Sequence, residues 1–187
     1  MAKFRCPRQM GVRCSLISTN AESGTTKKVA MQDIKTAASE FLAKKRVAVT
    51  GVSRNEKSGH GSNTVYKRLR ERGYEVFAVN PNATEVEGDR SYKNLGSIPG
   101  GVDAVVIATR PDRAGETMHE CVELGIKHVW MHRGPGAGSV SPEATAYGRE
   151  HNITVIDGGC PCMFEPTADF GHKVMRIVLS GHVPKQV

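Results

Sequence analysis

Short apolar runs rich in β-branched residues alternate with segments of helical periodicity along most of this chain, and the alternation limits the folds open to it. Each run is apolar throughout and short, which is typical of strands buried on both faces of a parallel sheet. Parallel neighbours need helical crossovers, and these are right-handed. The sequence therefore predicts an α/β fold, a Rossmann-like doubly wound parallel sheet of about five strands in a single domain. The predicted strands are residues 46–50, 74–81, 103–109, 128–131 and 153–157.

Helices are predicted between these strands from apolar spacing and from capping residues. They are expected within residues 31–45, at 63–72, from Pro111 to Gly125, from Pro142 after the cap Ser141, and at about 168–180. The first helix is expected to bury one apolar face, formed by Ile34, Ala37, Ala38, Phe41 and Leu42. The last helix is expected to turn a similar face inward, formed by Phe170, Val174, Ile177 and Val178.

Positive charge is concentrated in the first 30 residues. They hold six Lys or Arg residues against Glu22 alone, a net charge of +5, so the total of +7 leaves +2 for residues 31–187. A basic face for nucleic acid is therefore not expected in the folded part. Three interpretations fit residues 1–30: a disordered tail, an organelle-targeting presequence, or sequence upstream of a natural start at Met31.

Hydropathy and cysteine content bear on the compartment. No apolar stretch reaches membrane-spanning length, so we expect a soluble protein that does not enter a membrane. The five cysteines do not suggest a disulfide framework. We expect a cytoplasmic protein, or a mitochondrial one if residues 1–30 are a presequence.

The segment RVAVTGVSRNEKSGHGSN, residues 46–63, joins the first strand to a helix and has the composition of a phosphate-binding loop. The residues expected to contact an anion are Gly51, Ser53, Arg54, Lys57, Gly59 and Gly61. The glycines let the backbone approach a ligand closely, and amides at the N-terminus of the next helix would strengthen the anion site. The alternative is an ordinary solvated turn. We favour the phosphate loop because it follows the first strand of an α/β pattern.

Residues at the strand ends, where such sheets bind ligands, argue against a nicotinamide cofactor. Counting from Gly51, the glycine-rich dinucleotide fingerprint would need glycines where Ser53 and Glu56 stand. The second strand ends in Asn80-Pro81 instead of the acid that binds ribose hydroxyls. An NAD(P)-dependent oxidoreductase with an atypical phosphate loop therefore stays the alternative function.

Cys160 and Cys162 follow the fifth strand and His132 follows the fourth, so a thiol activated by an imidazole is one interpretation of these strand ends. No acid that would orient the imidazole is identifiable, so we predict no catalytic residue and favour a packing role for the cysteines. No metal site is predicted, because a C-x-C pair with scattered histidines is not a recognised zinc spacing.

Three short motifs at strand ends carry a resemblance to a known family. They are VNPN at 79–82, VWM at 129–131 and GGCP at 158–161. In this combination the chain resembles the small stand-alone CoA-binding-domain proteins, which are similar to the nucleotide-binding half of the succinyl-CoA ligase α-subunit. The similarity covers roughly residues 33–180. It implies a Rossmann-like domain that binds coenzyme A (CoA) or a short acyl-CoA.

The resemblance also implies which residues would meet each part of CoA. To the pyrophosphate and its charge it assigns Gly51, Val52, Ser53, Arg54 and Lys57. To the adenosine it assigns Asn80 and Pro81, and to the adenine or its 3′-phosphate Thr109, Arg110 and Pro111. To the pantetheine arm it assigns Met131 and His132, and to the region of the thiol Cys160.

The resemblance to the ligase is partial. The ligase carries its phosphorylated histidine in a second domain and takes nucleotide from a partner subunit, and we find neither feature in this sequence. We therefore expect that the chain does not ligate CoA by itself and interpret it as a non-catalytic binding module. The sequence indicates neither the acyl group nor a protein partner.

Overall fold

The computed structural model describes residues 32–55, 61–134 and 138–187. Seven strands in this part form one sheet: β1 (Arg46–Thr50), β2 (Glu75–Val79), β3 (Glu85–Val86), β4 (Asp89–Tyr92), β5 (Ala104–Ile107), β6 (His128–Met131) and β7 (Thr154–Asp157). Their order is β3-β4-β2-β1-β5-β6-β7. Every neighbouring pair is parallel except β3 with β4. The predicted Rossmann-like parallel sheet is confirmed.

The sheet has two more strands than the sequence predicts. β4 pairs in parallel with β2, and β3 folds back on β4 as an antiparallel edge. Between them, Glu87 and Gly88 have φ angles of 51° and 78°, which a tight hairpin turn requires. The segment was predicted as a loop because β3 has only two residues and β4 is largely polar, so neither shows a strand period.

Five α-helices pack on the sheet within the described residues: α1 (Ile34–Leu42), α2 (Gly61–Glu71), α3 (Pro111–Glu123), α4 (Pro142–Glu150) and α5 (Phe170–Val178). Capping residues start α4 as predicted, because the Ser141 hydroxyl accepts a hydrogen bond from the Ala144 amide at 3.2 Å and Pro142 occupies the first turn. No described helix is long and apolar enough to cross a membrane.

Alternating strand residues supply two apolar layers, one on each face of the sheet. α1 and α2 cover one layer, in which the Trp130 ring lies edge-on to Phe41 and Phe164 at centroid distances of 5.3 and 5.4 Å. α3 and α4 cover the other, around Met118 and Ile107. All five apolar residues predicted for α1 are buried. Because both faces are covered, the carboxyl edge of the sheet is where a ligand can reach the strand ends.

The predicted inward orientation of the apolar face of α5 is wrong. Phe170, Ile177 and Val178 are 83%, 77% and 74% exposed, and Val174 is 44% exposed. The helix contacts the core through Met175 instead. Its apolar period predicts a helix correctly, but a period alone does not specify which side meets the rest of the domain.

Candidate functional site

The strand order reverses at β1, and the crevice at this point forms the floor of the candidate site. β1 pairs with β2 on one side and with β5 on the other, so the crossovers that follow β1 and β5 leave toward opposite faces. Gly51 follows β1 with a φ of +75°, and a Cβ there would lie 2.6 Å from the Ala108 carbonyl oxygen. Only glycine fits this close approach of two backbones. Gly51 therefore shapes the crevice.

Side chains of α2 fix the start of the loop after β1. The Asn63 amide brackets Ser53, with its Oδ1 accepting from the Ser53 amide at 2.9 Å and its Nδ2 donating to the Ser53 carbonyl at 2.8 Å. The Ser62 hydroxyl donates to the Gly51 carbonyl at 3.0 Å. Ser62 and Asn63 lie in the first turn of α2, and their contacts hold the loop against the helix.

Asn80, which stands where a dinucleotide enzyme places its ribose-binding acid, is engaged with the protein backbone. Its Nδ2 donates to the Val52 carbonyl at 2.8 Å, and its Oδ1 accepts from the Asn82 amide at 2.9 Å. Both atoms of the amide group therefore position loops. This arrangement adds a structural reason to the sequence argument against a ribose-binding role.

Two cavities open along the carboxyl edge. Cavity A has a volume of about 560 Å³ and its lining includes Gly51, Asn80, Pro81, Lys93, Thr109 and Arg113. Cavity B has a volume of about 380 Å³ and its lining includes Gly61, Ser62, Thr109, Arg110, His132 and Cys160. Both volumes fall in the range of ligand pockets. Thr109 lines both cavities, so they adjoin at the end of β5.

Thr109 has an unsatisfied polar atom at this junction. Its Oγ1 is buried and has no hydrogen-bond partner among the described residues. An unpaired buried hydroxyl costs roughly 1–3 kcal/mol, and buried polar atoms of this kind are uncommon. The next residue, Arg110, caps α3 and lies at the surface, where its guanidinium meets Asp112 at 2.9 Å.

His132 forms an inner wall of cavity B. Its side chain packs closely on the start of α2, since a Cβ on Gly61 would lie 2.5 Å from His132 Cε1. Burial lowers the pKa of His132 to about 4, with a smaller contribution from His172. The imidazole is therefore neutral at neutral pH and can donate or accept one hydrogen bond inside the cavity.

Cys160 reaches cavity B from the end of β7. A hydrogen bond to Cys162 raises the pKa of Cys160, and burial adds to this rise. The same hydrogen bond lowers the pKa of Cys162, and the positive charges of Arg68 and Arg72 lower it further. The thiol that faces the cavity is therefore protonated at neutral pH, while any thiolate character belongs to the buried Cys162.

Several residues that the resemblance assigns to the ligand lie elsewhere or are not described. The side chains of Val52 and Met131 are fully buried in the two core layers. Pro111 lines a separate cavity of about 540 Å³ near α4, and Arg54 is exposed. Lys57 lies outside the described residues. The structure thus brings Gly51, Asn80, Pro81, Thr109, Arg110, His132 and Cys160 to the two cavities.

The structure adds residues that the sequence did not single out as ligand contacts. His172 and Met175 of α5 line cavity B, and Lys93 lines cavity A. His172 was assigned to a helix with no role. Its position depends on how α5 docks, for which the sequence carries no signal. Lys93 is brought to the site by β4, which was itself missed.

Comparisons with curated proteins find a ligase subunit and a small uncharacterized protein among the relatives of this chain. The chain is 26% identical over 151 residues to the α-subunit of ADP-forming acetate–CoA ligase II of Pyrococcus furiosus, which covers 76% of this chain but only 32% of that subunit. It is 30% identical over 116 residues to the uncharacterized protein YneT of Bacillus subtilis, covering 62% of this chain and 82% of YneT.

A solved structure has the same fold as this chain. A hypothetical protein of Pyrococcus horikoshii is 27% identical and superposes with a TM-score of 0.61, covering 68% of this chain and 86% of that one. The chain therefore spans about a third of the archaeal ligase subunit but most of the small proteins. The family model described as CoA binding domain matches residues 45–166, and the chain belongs to this CoA-binding-domain family.

Proposed function

We propose that the chain binds CoA or a short acyl-CoA across cavities A and B as a non-catalytic module. The observation that carries the proposal is the buried Thr109 hydroxyl, unpaired within the described residues, at the point where the two cavities adjoin. A polar ligand lying across this point supplies the missing partner after a small rotation of the side chain. Family membership supports CoA as that ligand.

The proposed orientation follows from the two linings. The adenosine end lies in cavity A beside Asn80 and Pro81, and the pantetheine arm lies in cavity B between His132 and Cys160. The pyrophosphate lies between them, near the first turn of α2, where Gly61 and Thr64 line cavity B. Helix N-termini favour phosphate groups because their first amides are unpaired and the helix dipole is positive there.

Lys93 is the proposed contact for the 3′-phosphate. It is exposed on the wall of cavity A and makes no ion pair within the described residues. The other cation of that wall, Arg113, is paired with Glu116 at 2.9 Å. Lys93 therefore has its charge available for a phosphate.

Binding without catalysis is supported by the protonation states of cavity B. The raised pKa of Cys160 keeps its thiol protonated, and thiols attack acyl groups only as thiolates. The lowered pKa of His132 makes its imidazole a weak base. Neither group is thus prepared for acyl transfer at neutral pH.

Calorimetry of the full chain with CoA, acetyl-CoA, 3′-dephospho-CoA, NAD and NADP tests the proposal. We expect CoA to bind and 3′-dephospho-CoA to bind about tenfold or more weakly, because a charged hydrogen bond contributes roughly 1.5–3 kcal/mol. Lys93→Ala should remove most of this difference. Lys127→Ala is the matched control, since Lys127 is exposed just before β6, at the opposite edge of the sheet.

The outcomes separate the two candidate functions. Equal affinity for CoA and 3′-dephospho-CoA would contradict the assigned role of Lys93. Binding of NAD or NADP without CoA would overturn the proposal and favour an oxidoreductase. Thr109→Val, which keeps the shape of the side chain but removes its hydroxyl, should weaken CoA binding while leaving the protein at least as stable, since the hydroxyl is unpaired without ligand.

A further inference from the structure

Three potential metal ligands converge beside cavity B. One ligand atom each from Cys160, Cys162 and His172 lies within 4.8 Å of the other two. The two cysteines flank Pro161 after β7, and the histidine reaches them from the first turn of α5. His172 follows the two cysteines by ten and twelve residues. It is brought to them by the docking of α5, which the sequence did not predict.

We infer that Cys160, Cys162 and His172 form a binding site for Zn²⁺. Two sulfurs and one imidazole nitrogen are a donor set that zinc prefers, and sites with three protein ligands keep a fourth position open. With bond lengths of about 2.3 Å to sulfur and 2.0 Å to nitrogen, tetrahedral ligands lie about 3.5–3.8 Å apart. The separations therefore need to shorten by at most about 1.3 Å, which side-chain rotation can supply.

His172 has the kind of outer partner that metal-ligating histidines have. Its Nδ1 lies 2.9 Å from Asp169 Oδ1, and a carboxylate at this nitrogen fixes the tautomer in which Nε2 carries the lone pair. Asp169 is itself held, by the His172 amide at 2.8 Å and by Arg68 at 2.8 Å. Such a carboxylate behind a histidine is a common outer partner of a metal ligand.

Zinc binds cysteines as thiolates. Binding therefore transfers the thiol protons of Cys160 and Cys162 to the buffer and forms two Zn–S bonds and one Zn–N bond. Two thiolates then balance the charge of the ion.

Cavity B gives the ion a route in. Cys160 and His172 both line that cavity, whereas Cys162 lies fully buried behind them. The fourth position of the metal is therefore occupied by water or by a ligand in cavity B. This inference does not depend on the proposed function, since all three metal ligands come from the chain itself.

Cobalt titration of the full chain tests the site, with Co²⁺ as a spectroscopic probe and a non-thiol reductant present. Cys6 and Cys14 lie outside the described residues and are replaced by serine in every sample. We expect one Co²⁺ per chain, a thiolate-to-cobalt charge-transfer band, the visible bands of a tetrahedral site, and full displacement by Zn²⁺. Metal binding should also release protons. Calorimetry in buffers of different ionisation enthalpy measures how many.

Variants assign the ligands. Cys160→Ser, Cys162→Ser and His172→Asn should each weaken Zn²⁺ binding about a hundredfold or more, and Asp169→Asn about tenfold. Cys121→Ser is the matched control, because Cys121 is a buried cysteine of α3 with burial raising its pKa to about 12. It should leave Zn²⁺ affinity unchanged.

Two results would overturn the inference. The first is the absence of a stoichiometric charge-transfer band in the folded protein. The second is a band that survives Cys160→Ser and His172→Asn, which would assign the metal elsewhere. His172→Asn should leave the protein folded, since α5 has no buried residue. Circular dichroism of the metal-free variant checks this, so that a loss of metal binding is not mistaken for unfolding.

Discussion

Gly51→Ala should destabilise the protein by about 2–5 kcal/mol through two separate costs. The first is the backbone, because Gly51 has a φ of +75° and a left-handed conformation costs a residue with a Cβ roughly 1–2 kcal/mol. The second is steric, because the new Cβ would lie 2.6 Å from the Ala108 carbonyl oxygen. That oxygen belongs to a backbone fixed beside β5 and cannot swing away, so overpacking adds roughly 1–3 kcal/mol.

Gly73→Ala is the matched control for this variant. Gly73 has the same φ of +75° but nothing lies within 4 Å of a Cβ added there. It should therefore show only the backbone cost, roughly 1–2 kcal/mol. Both substitutions restrict the unfolded chain equally, so that contribution cancels in the comparison. The expected difference of about 1–3 kcal/mol measures the close approach of the β1 and β5 loops.

Urea unfolding followed by circular dichroism measures both free energies of unfolding. The slope of the free energy of unfolding against urea concentration should be the same in the two variants. A difference in the midpoint urea concentration then reports a difference in stability. If Gly51→Ala is no more destabilised than Gly73→Ala, the backbones at Gly51 and Ala108 do not approach each other closely. The floor of the crevice would then be wider than the 2.6 Å distance implies.

Three further predictions concern stability. Asn63→Ala should cost about 1–3 kcal/mol in urea unfolding, because both backbone groups of Ser53 lose their partner. For His132, the pKa of about 4 in the folded state lies below the ordinary value of 6.5, so the unfolded chain takes up a proton first as pH falls. The free energy of unfolding should drop by about 2 kcal/mol from pH 7 to pH 5 through this group, and His132→Gln should remove that share of the pH dependence. Phe170→Ser should change stability by less than about 0.5 kcal/mol because Phe170 is 83% exposed, whereas Phe41→Ala should cost about 3–5 kcal/mol; similar losses in the two variants would show that α5 packs inward after all.

Local patterns were sufficient for the five helices, for five of the seven strands and for the fold class. The run from Val47 to Val49 is apolar at every position, because β1 is covered by helices on both faces, and such runs are distinctive in sequence. Ser141 and Pro142 mark the start of α4 by chemistry that acts within one turn. The edge hairpin β3–β4 was missed because its strands are short and polar, so that only pairing with β2 reveals them.

The candidate site was predictable in outline only. Strand ends indicated the edge of the sheet along which cavities A and B open, because parallel strands place their carboxyl ends together. The sequence did not indicate which side chains turn toward that edge. Met131 and His132 are neighbours in the chain, yet Met131 lies in the core and His132 lines cavity B, since successive side chains at a strand end point to opposite faces.

The sequence by itself determined the five helices, the strands β1, β2, β5, β6 and β7 and the parallel sheet that they form, since these depend on periodicity, capping and turn chemistry within a few residues. Tertiary structure decided the docking of α5, which leaves Phe170 exposed and carries His172 to Cys160 and Cys162. It also decided that Thr109 lies between two cavities with an unpaired hydroxyl. Both outcomes depend on contacts between residues distant in the chain, and local patterns do not record such contacts.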